Sequence, residues 1–429
     1  MLRKLLPQST YARNVITLMT GTGMAQAIPI AISPILTRLY SPQEFGMFAL
    51  YMAVVAVVSV LVTGRYELAI LLPRQDRDAI HIAALAAGLS VVISAVLLAL
   101  VALFNQPMAR WLGAPELAHW LYWVPASTLL MGVYQSLNYW SNRKAQYKRL
   151  AISRTVQSGT GALAQLGGGY AGAGPLGLVG GQITGQALAT TVLARLIYRE
   201  DRSHIRMLRP VRAVALAKKY KDFPRFLIVA HGFNTLSRNL PVMLLNALFS
   251  TAATGFFMLV QRVMGAPMVL VAGALGDVFR QEASHAYIHT GNCRVIYLRT
   301  FRRLLAISIL PFGALFFSAP TLFGLVFGEQ WRVAGEYARI LTPMFFVQFV
   351  VSPISQVAVI AERQRIDLVW QISLFILISV VFAIGRAFDD LRLTLILFSG
   401  AYSVMYTVAG IVNYKLSQGK GFQGVEKGA

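Results

Sequence analysis

Cysteine, acid and long polar loops are what this sequence has least of. Its single cysteine, Cys293, excludes an internal disulfide. No Cys/His cluster has the ligand spacing of a zinc site. The pairs Glu282/His285 and His285/His289 lack a full ligand set, so neither a metal nor another cofactor is expected. Asp and Glu number 17 against 39 Lys and Arg, and charged residues make up 13% of the chain, about half the ~25% of a soluble domain. A water-facing exterior is thereby excluded. In a soluble chain the net charge of +22 would point to nucleic acid. In a chain this apolar the positive charge has another use, and no nucleic-acid partner is expected.

What is abundant is apolar surface. Hydrophobic residues are 56% of the chain and the mean hydropathy is +0.59. Apolar stretches of about 20 residues or more recur between charged, Pro or Gly-rich breaks, which is the length a helix needs to cross a hydrocarbon layer ~30 Å thick. Twelve spans are expected: Asn14 to Thr37, Phe45 to Leu72, Ile80 to Phe104, Trp120 to Trp140, Ile152 to Ala171, Leu176 to Ile197, Phe223 to Phe249, Ala252 to Val278, Leu304 to Phe327, Tyr337 to Ala361, Leu368 to Ala387 and Leu393 to Leu416. The N-terminal run after Arg3, Lys4 and Arg13 looks superficially like a signal peptide. It lacks a convincing small-residue cleavage site and is read as the first span.

Lys and Arg near the ends of spans are retained on the cytoplasmic side during insertion. One set of connections, with both termini, holds 30 of the 39 basic residues; the opposite set holds six, Arg38, Arg110, Arg332, Arg339, Arg386 and Arg392. Both termini are therefore expected in the cytoplasm, and the location expected is the bacterial inner membrane. The net charge is topology. The most basic stretch, Arg195 through Arg212 to Arg225, also suits anionic head groups of the membrane lipids.

An offset of 209 residues lays Gly23 on Gly232, Tyr40 on Phe249, Ser41 on Ser250, Gly46 on Gly255, Phe48 on Phe257 and Gly64 on Gly273. Glycines and a serine at turns match by chance less readily than Leu or Val, so the two halves read as a repeat. Six spans per half enter the membrane in the same direction, a transporter architecture. The expected fold is all-α and polytopic, with twelve transmembrane helices in two six-helix bundles around a central cavity. The lobes expected are 1–198 and 223–429, joined by a basic cytoplasmic linker, 199–222. Gly167, Gly168, Gly169 and Gly172, with the ladder Gly177, Gly181 and Gly185, suit close helix packing in lipid rather than a phosphate loop, since no Lys-Ser/Thr follows.

Arginine inside a span costs on the order of 2.5 to 3.5 kcal/mol and needs a partner, water or a functional reason. Arg238 falls near the middle of span seven, Arg262 about a third of the way into span eight and Arg65 in the inner third of span two; Arg38 ends span one. Acids within spans are Glu67 and Asp277, at nearly corresponding places of the repeat, each able to pair with Arg or to hold a coupling ion. A cavity lined mainly by Arg attracts anions, and the planar guanidinium suits phosphate. Arg38, Arg65, Arg238 and Arg262 are the candidate substrate-binding residues. No catalytic residue is assigned.

The stretch Ile35-Leu36-Thr37-Arg38-Leu39-Tyr40-Ser41-Pro42-Gln43-Glu44-Phe45-Gly46 resembles the polysaccharide transporter family of the multidrug/oligosaccharidyl-lipid/polysaccharide exporter superfamily. The stretches from Gly64 to Pro73 and from Gly273 to Ala283 are similar to it too. The resemblance implies a flippase that carries undecaprenyl-pyrophosphate-linked oligosaccharide from the cytoplasmic to the periplasmic leaflet by alternating access. It implies service to O-antigen (lipopolysaccharide), capsule or exopolysaccharide biosynthesis, with other polysaccharide-assembly proteins as partners. It implies basic cavity residues that meet the pyrophosphate. Two alternatives stay open: a cation-coupled multidrug antiporter of the same superfamily, and a membrane polysaccharide polymerase or ligase. The latter needs a sizeable outer loop, and the longest expected, Asn105 to His119, has about fifteen residues.

Overall fold

The computed structural model of the chain describes residues 23, 25–361 and 363–419. The first turns of the first expected span lie outside them. Among the described residues the chain is all-α, without a strand. It divides into two compact units, Met1–Gly255 and Phe256–Ala429.

In the first unit, α1 (Ser33–Leu39) leads into α2 (Pro42–Val62) through a reciprocal cap. The Ser41 hydroxyl accepts from the backbone N–H of Glu44 at 3.3 Å, and Glu44 accepts from the Ser41 N–H at 2.6 Å. With Pro42 at the first helical position this satisfies orphan donors and fixes where α2 begins. A short turn α3 (Tyr66–Ala69) follows, then α4 (Asp76–Trp111), α5 (Val124–Arg143), α6 (Tyr147–Tyr170) and α7 (Pro175–Glu200). The segment after α7 contains a ten-residue helix, α8 (Pro210–Lys219), and α9 (Ile228–Leu248) closes the unit's long helices. Next come α10 (Thr251–Pro267), which runs across the division, and α11 (Gly273–Thr290) with α12 (Arg294–Phe327), α13 (Arg332–Val351), α14 (Gln364–Phe388) and α15 (Leu391–Ser417).

Among the described residues six helical stretches are long and apolar enough to cross a membrane: Pro42–Val62, Asp76–Trp111, Arg294–Phe327, Glu329–Ile360, Val369–Phe388 and Leu391–Ser417. The helices at expected spans four to seven, α5, α6, α7 and α9, have 20 to 26 residues but carry Ser, Thr, Gln and Asn. Several of those polar groups bond inside the bundle. Gln157 on α6 bonds Gln186 on α7, and Gln165 reaches the Leu178 carbonyl at 3.3 Å.

The glycine ladder does what its spacing suggests. A Cβ on Gly181 would crowd the Gln165 backbone and one on Gly185 the Gly161 backbone, so α6 and α7 meet backbone to backbone. In the gap beside Gly168 and Gly177 sits Tyr40, whose hydroxyl donates to the Gln165 carbonyl at 2.6 Å. The two turns matched by the repeat also lie against each other within the first unit. A Cβ on Gly46 would collide with the Thr251 carbonyl, and one on Gly255 with that of Pro42.

Candidate functional site: the break in the second helix

The second expected span, Phe45 to Leu72, is not one helix. α2 ends at Val62, and the chain turns through Thr63, Gly64 and Arg65 before α3. Gly64 and Arg65 both take φ of +59°. For arginine that left-handed conformation costs of order 1–3 kcal/mol and persists only where its surroundings hold it. Hydropathy does not register this break, because Val60, Leu61, Val62 and Leu68 to Leu72 read as one apolar run.

The side chains at the turn explain what holds it. Glu67 is 1% exposed. Its Oε2 accepts from the Thr63 hydroxyl at 2.5 Å and its Oε1 lies 3.2 Å from the Arg65 guanidinium. The Arg65 backbone N–H donates to the Thr63 hydroxyl oxygen at 3.3 Å. A buried carboxylate is tolerable when it is paired and hydrogen-bonded, and both of its oxygens are occupied. Arg65 keeps one buried donor, Nε, without a hydrogen-bond partner.

Two further titratable groups stand within electrostatic range of Arg65 and Glu67: Tyr139 on α5 and His231 on α9. Sequence reasoning missed both, and Thr63. A histidine inside an expected span was the available signal. Seven residues after His231, on the same face of α9 and about 10 Å along its axis, comes Arg238. It is exposed and makes no ion pair with another described residue. The first unit thus brings Arg65 and Glu67 into contact, sets His231 within their electrostatic range, and carries Arg238 two turns further along α9 from His231.

The other candidates lie on other helices. Arg38 is exposed in the last turn of α1, where a cation offsets the helix dipole. In the second unit, Arg262 is partly buried on α10 and has a partner within the chain. Asp277, matched to the Glu67 region by the repeat, is exposed on α11 beside a cavity of about 240 Å³ that Gly273, Gly276, Arg280, Ser352 and Gln356 also line. Among the described residues no three His, Cys, Asp or Glu converge as a metal would require.

At the basic ends of α4 and α5, a second set of charges ties the unit together. Lys144 and Arg143 donate to Asp76 at 2.7 and 3.0 Å. The bond from Lys144, chiefly, holds the Asp76 carboxyl below its ordinary range. The bond from Arg212 on α8, at 2.6 Å, does the same for Asp78.

With this geometry in hand, comparison with known proteins gives a family and a fold. The family described as "Polysaccharide biosynthesis protein" matches residues 35–336. No curated protein sequence matches the chain. Among solved structures, the chain is similar to a multidrug resistance MATE family transporter of the MOP superfamily in its inward-facing conformation, at 15% identity over 94% of each chain with a TM-score of 0.66. It is similar also to a MOP superfamily transporter from Pyrococcus furiosus Vc1, described by the reverse polarity of its binding pocket, at 15% identity over 94% of this chain and 95% of that one, TM-score 0.63. At such identity these likenesses show the fold: an all-α, multi-pass membrane architecture of twelve helices in two bundles.

Proposed function

On the premise that the chain belongs to the polysaccharide biosynthesis protein family, a membrane transporter by fold, we propose that it is a flippase. Its cargo in this reading is undecaprenyl-pyrophosphate-linked oligosaccharide, moved from the cytoplasmic to the periplasmic leaflet by alternating access, with no covalent chemistry of its own. The observation that carries the reading is Arg238. It is an exposed arginine without an ion-pair partner among the described residues, two turns along α9 from His231, which stands within electrostatic range of Arg65 and Glu67. Retaining such a charge against a cost of ~2.5 to 3.5 kcal/mol makes sense where an anionic cargo meets it, since a guanidinium can give a phosphate two parallel hydrogen bonds. Residues 1–198 and 223–429 serve as the two lobes, 199–222 joins them, and both termini lie in the cytoplasm. Arg65 offers its unsatisfied Nε to the same cargo, while Arg38 and Arg262 are secondary anion contacts.

The competing reading, a cation-coupled drug antiporter, draws on the same fold. The polarity of the binding residues separates the two; of the Pyrococcus furiosus transporter it is said that the reverse polarity of its binding pocket suggests a different function. The test uses the full chain in proteoliposomes with a fluorescent lipid-linked oligosaccharide and a membrane-impermeant quencher. The protein should expose label to the opposite leaflet, and Arg238→Ala should slow exposure by roughly ten- to a hundredfold, the value of a charge-assisted hydrogen bond. Unchanged flipping in the variant would remove Arg238 from the cargo path, and no flipping together with uptake of cationic dye would count for the antiporter.

A further inference from the structure

The segment between α7 and α9 carries a surface that the transport reading does not use. α8 is already docked on one side. Leu216 is buried in a cluster with Trp140, Leu193 and Ile197. Arg212 pairs with Asp78 at 2.6 Å, the Arg209 backbone N–H donates to His81 Nε2 at 3.0 Å, and the Tyr66 hydroxyl donates to the Ala217 carbonyl at 3.0 Å. A helix of ten residues anchored by these four contacts has no need of a second apolar face.

It nevertheless has one. Val211, Val214, Ala215 and Lys218 fall at i, i+3, i+4 and i+7, one stripe of a helix, and all four are exposed. Val211 is 82% and Val214 55% exposed, and Met207 adds a further 47% just before the helix. Around this stripe the charge is of one sign. From Arg202 to Arg225 there are eight Lys and Arg and a single acid, Asp222, and the one basic residue of α8 paired with an acid, Arg212, points to the docked side. α7 before it and α9 after it are long helices of the membrane bundle, so connectivity holds α8 at a membrane face.

From this we infer that the outer face of α8 is a docking surface for the anionic head-group layer of the adjoining leaflet. Val211 and Val214 sink among the upper acyl carbons, and Arg206, Lys218 and Lys219 meet phosphates. An apolar stripe flanked by several basic residues is the composition that lies in a bilayer interface, and clustered Lys and Arg next to a membrane helix select anionic lipid. The inference does not depend on what the protein transports. Through the Tyr66–Ala217 bond, the same helix holds the residue next to Arg65, so lipid contact would also steady the break in the second helix.

The test places an environment-sensitive fluorophore on Val214→Cys in a Cys293→Ser background. The full chain is reconstituted in vesicles of phosphatidylcholine alone or mixed equally with phosphatidylglycerol, with lipids brominated high on the acyl chain as quenchers. In the anionic vesicles the emission should shift to the blue and be quenched. Both effects should be lost in phosphatidylcholine, in high salt, and in the triple variant Arg206→Ala, Lys218→Ala, Lys219→Ala. Water-like emission in both vesicle types would overturn the inference, because the face would then be solvated. Blue-shifted emission without quenching would overturn it too, since protein would be covering the face, and equal quenching in both lipids would overturn its electrostatic part. Ala215→Cys gives an independent reading should the first variant fold poorly.

Discussion

The repeat lays Gly64 on Gly273, and at both places the second helix of a half is interrupted, but by different means. In the first unit the helix stops at Val62 and the chain turns left-handed at Gly64 and Arg65. In the second, a π-helical turn, Met268–Ala272, follows Pro267 and the helix resumes at Gly273 with φ of −60°. The acids differ in the same sense: Glu67 is buried and saturated with partners, and Asp277 is exposed beside a polar cavity. The π-turn stays in the helical region and runs on into α11, whereas the left-handed turn ends α2 before Glu67. A duplicated position has thus become a closed polar site in one half and an open one in the other.

The sharpest test of that difference is to remove each acid. Glu67→Ala strips the partner from Arg65, whose side chain is 15% exposed, and breaking a pair this well buried should cost about 3 kcal/mol. Asp277→Ala removes an exposed acid and should stay within about 0.5 kcal/mol. Thermal unfolding of the two variants in detergent reads both. Equal shifts in Tm would erase the distinction between the sites.

The backbone offers a second test with a smaller effect. Gly64→Ala must adopt φ of +59° with its Cβ 3.2 Å from the Tyr66 ring, and should lose about 1–2 kcal/mol. At Gly273 the nearest atom to an added Cβ is 3.8 Å away and φ is helical, so Gly273→Ala should be neutral or stabilising by up to about 1 kcal/mol. Opposite signs of the Tm change would support two kinds of break. A loss of similar size in both would mean that the second also needs glycine's freedom.

Much of this was legible in the sequence, and unevenly. The cap at Ser41 and Glu44 could be read because its parts lie three residues apart, and the packing of α6 on α7 could be read because glycines four apart share a face. The break after Val62 could not. Its signal is two backbone angles inside an apolar run, and the titratable groups beside it, Tyr139 and His231, come from helices roughly 75 and 165 residues downstream of Arg65. The matched acids were separable only in the structure. Nearly corresponding places in a repeat left the same two roles open for Glu67 and Asp277, but only the first half turns left-handed before its acid, and only Glu67 is buried. The segment 199–222 read as a tether by charge alone; its helix, Pro210–Lys219, became visible through the burial of Leu216 and the bond from Arg212 to Asp78.

That bond supplies the smallest and last contrast, one of pH. The Asp78 carboxyl is held below its ordinary range chiefly by the hydrogen bond from Arg212, so the folded state prefers it ionised. The stability it contributes is complete above the unfolded carboxylate value, ~3.9, and is lost as pH falls below that through the lowered folded value. Amide protection in α8, taken relative to the intrinsic exchange rate at each pH, should therefore be high near neutrality and fall as pH drops below about 4. In Asp78→Asn the latch is gone at every pH, so α8 should exchange faster already at neutral pH and show little further acid dependence from this site. Around Asp277 no such ion pair forms among the described residues, and the exchange of α11 should not follow Asp277 at all. If α11 loses protection with acid as α8 does, and Asp277→Asn removes the change, the second break holds a latch of its own and the two halves are more alike than their burial suggests.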